Sequence, residues 1–80
     1  MKDILSFIVS SIVEDPAKVE ITEDASDPTT EHLIISVGKE DMGKVIGKGG
    51  KVIRAIRSVM KIPAIKQNKR IYITLNNEEE

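Results

Sequence analysis

This sequence predicts an α+β layer fold, with three helices on one face of a three-stranded sheet in the order α-β-β-α-α-β. Three observations predict it. Apolar residues recur at helical spacing over 3–14 and again over 51–62, the pattern of helices with one buried face. They alternate with polar residues over 17–23, 31–37 and 70–75, the pattern of half-buried strands. Ahead of the second long helix lies Gly47-Lys48-Gly49-Gly50, a loop that starts and ends with glycine. Eighty residues hold one such domain, expected over 1–75, with an acidic, frayed tail at 76–80.

Taken in order, the first helix is set by Ile4, Ile8 and Ile12 at i+4, with Leu5 and Val9 beside them and Phe7 on the flank. Asp3 is placed to cap its start, and Pro16 forces Asp15 out of helical geometry. Val19 and Ile21 share a face of the first strand. The stretch from Glu23 to Thr30 is rich in turn formers and reads as a surface loop. In the second strand Leu33, Ile35 and Val37 face the core, leaving His32 as a solvent-facing strand residue with no second ligand or base beside it. After Gly38, Glu40 and Asp41 open a short helix containing Met42, Val45 and Ile46. Gly43 inside it costs about 1 kcal/mol of helix propensity, which suggests close packing against another backbone. Val52, Ile53, Ile56, Val59 and Met60 form the buried stripe of the next helix, which Pro63 is expected to end near Ile62. A basic loop over 64–69 then leads to a strand with Ile71, Ile73 and Leu75 inward.

Composition excludes several classes. There is no cysteine, so disulfides and thiolate zinc sites are ruled out. No run approaches the roughly 20 apolar residues of a membrane span, and the N-terminal run is too interrupted for a secretory signal. A soluble, cytoplasmic protein is expected. No nucleophile–base pair or metal-ligand set can be assembled, so neither enzyme activity nor a cofactor is expected. The formal net charge of −1 conceals an asymmetry: residues 1–37 carry a net of −6, residues 38–70 a net of +8 and the last ten −3. The positive block is centred on the glycine loop, either as a polyanion site or as a solvated helix face.

Three phosphate-binding patterns compete for that loop. A Walker-type loop needs four residues between its glycines and a hydroxyl after the lysine. Here Gly43 and Gly47 are three residues apart in between, and Gly49 stands where the hydroxyl belongs. A dinucleotide fingerprint requires a third glycine where Val52 stands, and a preceding strand. Gly-x-x-Gly between two helices, flanked by Val45-Ile46 and Val52-Ile53, fits the third pattern, the KH domain, whose loop clamps about four backbone nucleotides. Glycines admit phosphates closely, the following helix start offers unpaired N–H groups, and Lys48 and Lys51 add charge.

The likeness extends beyond the loop. Asp41-Met42-Gly43-Lys44-Val45-Ile46-Gly47-Lys48, then Arg54-Ala55-Ile56-Arg57, resembles the small bacterial single-KH-domain proteins of the KhpA type. The N-terminal helix, the Pro16…Val19 entry to the first strand and the closing Arg70…Ile73 strand match as well. That resemblance implies the type II KH topology with a mixed sheet, and makes 23–31 the variable loop. Members often carry a larger polar residue where Gly49 stands. It implies a nucleotide groove between the 45–53 segment and the sheet. Phosphate contacts fall at Gly47, Lys48, Gly49, Gly50 and Lys51, and the phosphate path extends through Lys44, Arg54 and Arg57. Ile46, Val52 and Ile53 are candidates for an apolar floor under the bases, or for the core. The implied activity is non-catalytic single-stranded RNA binding, of the RNA chaperone or post-transcriptional regulator type. Implied partners are a second copy, as a homodimer, or a larger KH-containing RNA-binding protein. With only Phe7 and Tyr72 as aromatics, extended stacking platforms are absent. The alternative is a protein–protein adaptor or dimerisation module that uses the KH fold.

Overall fold

The computed structural model describes residues 1–24 and 27–76, so the end of the acidic tail and two residues of the 23–31 loop lie outside the described residues. Helix α1 (Lys2–Ile12), strand β1 (Glu20–Asp24), strand β2 (Thr30–Ser36), helix α2 (Met42–Ile46), helix α3 (Lys51–Lys66) and strand β3 (Arg70–Leu75) follow the expected order. Short 3₁₀ turns at Pro16–Lys18, Lys39–Asp41 and Lys48–Gly50 join them. The sheet runs β1-β2-β3. Its β1/β2 pair is antiparallel with Ile21 opposite Ile35, and its β2/β3 pair is parallel with Leu33 opposite Ile73. A parallel pair needs a long crossover, which the two helices and the glycine loop supply. This is the mixed sheet of a KH-type α+β fold.

The core gathers Leu5, Val9 and Val13 against Ile21, Leu33, Ile35 and Ile73, with Val45, Ile53, Ile56 and Met60 closing it. Asp41 is buried beside it. Its two carboxylate oxygens accept the backbone N–H groups of Glu14 and Asp15, each at 3.1 Å, which fastens the end of α1 to the start of α2. A carboxylate that accepts two N–H groups is stable in the interior where an unpaired one is not.

Five local expectations are corrected. Asp3 lies inside the first turn of α1 and makes no cap; Met1 holds the N-cap position. Residues Pro16–Lys18 form a 3₁₀ turn, because proline at a first helical position loses no bond, and β1 begins at Glu20. Gly43 has open space where a Cβ would stand, so no backbone packs against it. Pro63 does not end α3, which continues to Lys66. The helix stops instead at Asn68, whose φ of 61° is left-handed: Lys69 N–H donates to Ala64 O at 2.9 Å and Asn68 N–H to Ile65 O at 3.0 Å, a Schellman cap. Finally, Val59 is half exposed. The buried stripe is Ile53, Ile56, Met60 and Ala64, and Val59 lies about 120° around the helix from Ile53.

Candidate nucleic-acid interface

Backbone geometry builds the loop first. Gly47 has φ 76° and ψ 169°, a region only glycine adopts without strain. A Cβ there would collide with Val52 Cγ2 and lie 2.7 Å from the Val52 nitrogen. Gly49 (φ 65°, ψ 18°) and Gly50 (φ 79°, ψ 17°) are left-handed, and the space beside Gly49 is open. Gly47 N–H donates to Gly43 O at 2.9 Å, ending α2, and Gly50 N–H donates to Gly47 O at 3.1 Å, closing the turn. No side chain caps α3, so the N–H groups of its first turn are left to face the loop.

Side chains then add charge. Lys48 and Lys51 are exposed, and neither forms an ion pair among the described residues. Arg54 Nη1 donates to Gly49 O at 2.8 Å, which ties the loop to the first turn of α3. Arg57 Nε donates to Ile73 O at 3.1 Å on the edge strand. Lys44 turns the other way, with its Nζ 3.6 Å from Glu14 Oε2 in an exposed pair of little energetic weight. Of the three apolar candidates, Ile53 belongs to the core, Val52 is half-buried against it, and Ile46 is exposed at the mouth of the loop.

The concavity lies further along than the 45–53 segment implied. A cleft of about 590 Å³ separates α3 from β3, with Arg54, Arg57, Ser58 and Lys61 on the helix wall and Ile71, Tyr72, Ile73 and Thr74 on the strand wall. A hollow of about 260 Å³ shares Lys61 and Tyr72 with it and reaches Lys69 and Arg70. A third, of about 330 Å³, shares Lys69 and Arg70 and reaches Thr29. Through these shared residues the three form a continuous run along α3 and β3, from Arg54 to Thr29. Of the cleft's lining, Ser58, Lys61, Tyr72 and Thr74 are not among the residues that the sequence marks for the site. The legible signal was the spacing of Arg54, Arg57, Ser58 and Lys61 at i, i+3, i+4 and i+7, one helix face.

At the far end Lys69 Nζ lies 3.8 Å from Glu31 Oε1. Glu31 is only 6% exposed, and its carboxyl is held above the ordinary range. A hydrogen bond with Glu23 is the main cause, burial and the Glu23 charge add to it, and Lys69 partly offsets them. His32 Nε2 and Thr74 Oγ1 are hydrogen-bonded at 3.1 Å. Among the described residues no group of His, Cys, Asp and Glu could hold a metal ion, and no helix is long and apolar enough to cross a membrane.

A glycine loop between two helices, crossing from β2 to a parallel β3 in an α-β-β-α-α-β chain, defines a KH domain. Comparison with known proteins narrows the class: residues 2–75 match the family model for the KH domain of KhpA/KhpB, and the chain belongs to that family. It is 41% identical over 75 residues to the RNA-binding protein KhpA of Clostridium acetobutylicum, covering 94% of this chain and 99% of that one. The RNA-binding protein KhpA of Clostridium perfringens is 40% identical with the same coverage. That of Chlamydia pneumoniae is 35% identical over 79 residues, 99% of this chain and 100% of its own. No solved structure matches the chain.

Proposed function

We propose that this protein is a non-catalytic, cytoplasmic single-stranded RNA-binding module of the RNA chaperone or post-transcriptional regulator type. The glycine loop clamps the sugar–phosphate backbone through Gly47–Gly50, with Lys48 and Lys51 neutralising phosphates, and the strand runs on along the α3–β3 cleft past Arg54, Arg57 and Lys61. The observation that carries this reading is the loop itself: three positive-φ glycines in a row of four, tied through Gly49 O to Arg54, the first cationic donor on the helix wall of the cleft. The names of the relatives support it. Affinity from one cleft is modest and falls steeply with salt, because it rests on phosphate neutralisation.

The test is Lys48→Asp combined with Gly49→Asp. Gly49 has an open Cβ position, so the variant carries only a left-handed backbone cost of about 1 kcal/mol and stays folded, with a slightly lowered melting point, while RNA crosslinking is lost. Crosslinking that survives overturns the loop assignment.

A second reading, pairing with another copy or with a larger KH-containing RNA-binding protein, is favoured by one observation. Val59, Ile62 and Ile65 of α3 are 50%, 62% and 74% exposed, an apolar run on a strongly charged chain. Linked sites raise effective concentration, which a single weak cleft needs. Sedimentation velocity of Ile62→Asp beside the loop variant separates the readings: loss of a dimer in the former alone places pairing on α3 and leaves the loop to RNA.

A further inference from the structure

β3 is an edge strand, and its Tyr72 belongs to two surfaces at once. It lines both the main cleft and the hollow beyond it, beside Arg57, Lys61 and Arg70. By strand alternation it is also on the sheet face that carries no helix, since Ile71, Ile73 and Leu75 turn toward the core. Register sets Tyr72 directly beside His32 of β2 on that face, and the bond to Thr74 fixes the imidazole. Tyr72 is 52% exposed and contributes nothing to the core. Its other neighbours on that face are Arg70 and Thr74 along the strand and Thr30 and Ile34 diagonally across on β2, a mostly polar setting in which Ile34 is the one apolar side chain.

We propose that Tyr72, with His32 at its side, is a one-base stacking shelf at the lip of the cleft, so that the bound strand turns around the edge of β3 onto the helix-free face. This rests on the RNA reading above. The argument is chemical. Phosphates drawn to Arg57, Lys61 and Arg70 leave the attached bases within reach of the edge, and a tyrosine or histidine ring offers a face on which any base stacks. Stacking of this kind tolerates sequence, so the shelf adds affinity and does not select a base.

Tyr72 is the only tyrosine and there is no tryptophan, so its emission reports this site alone. The full chain is titrated with labelled single-stranded U and A decamers, following RNA anisotropy and absorption-corrected tyrosine emission together. Emission is expected to fall in step with binding for both decamers. Tyr72→Phe is expected to keep the affinity and Tyr72→Ser to lose about tenfold, with unfolding midpoints compared to show that both variants fold. Binding without any change in emission, or Tyr72→Ser binding as tightly as wild type, overturns the shelf and leaves the RNA reading intact. A Tyr72→Ser variant that changes sedimentation and not RNA affinity overturns it in favour of a protein contact. No anisotropy change with the wild-type chain overturns the RNA reading, and the shelf with it.

Discussion

The two ends of α3 are built on opposite logic. At the N-terminal end the backbone dictates the residue: Gly47 occupies a conformation closed to other side chains, and a neighbouring backbone nitrogen fills the space a Cβ would take. At the C-terminal end the residue type suggests a stop and the chain overrides it. Pro63 removes one N–H bond to Val59, yet the helix runs on past it to Lys66. Continuing the helix buries Ala64 and sets up the cap that Asn68 closes. Local steric demands are absolute, whereas a helix-breaking preference is an energy of about 3 kcal/mol that packing and capping can outweigh.

The largest expected effect tests the first half of that contrast. Gly47→Ala meets both a forbidden backbone region and a collision with Val52, and is expected to destabilise the fold by about 3 kcal/mol or more, read from urea unfolding midpoints. Gly49→Ala meets open space and carries only the left-handed backbone cost of about 1 kcal/mol. Equal effects at the two positions would dissolve the distinction between a glycine required by packing and one required by conformation alone.

Pro63→Ala tests the other end. If Asn68 sets the stop, removing the proline leaves the helix the same length and restores one bond. The expected gain is about 1 kcal/mol, because the proline's restriction of the unfolded chain offsets part of its cost. Circular dichroism at 222 nm should be unchanged while the midpoint rises. A longer helix in the variant would return the stop to Pro63.

The same contrast explains what was legible beforehand. Element order, sheet face and glycine loop follow from periodicity and residue type, which act within a few residues. The N-cap that Met1 takes from Asp3, the exposure of Val59 and the pairing of Lys44 with Glu14 depend on where distant segments end up. The cleft wall was half visible: α3 displays its donors at helical spacing, but that β3 supplies the facing wall is a matter of sheet order. Glu31 shows the limit most sharply. It shares the buried face of β2 with Leu33, and only the assembled structure brings Glu23 and Lys69 to it.

Glu31 gives the smallest expected effect, and it concerns what anchors the segment leaving the C-terminal end of α3. The folded chain raises this carboxyl above its ordinary value of 4.5, so the folded state binds the proton more tightly than the unfolded state does. That contribution to stability is fully present below pH 4.5 and is lost as the pH rises through the raised folded value. Glu31→Gln keeps a neutral, hydrogen-bonding side chain at every pH. The variant is therefore expected to lack the decline that wild type shows across this window, and to be at least as stable at neutral pH despite losing the contact with Lys69 at 3.8 Å. Urea midpoints measured for both chains from acid to neutral pH decide it. A variant weaker at neutral pH would mean that Lys69 outweighs the crowding of the two carboxyls, making the ion pair, and not the Schellman cap alone, the anchor for the turn into β3.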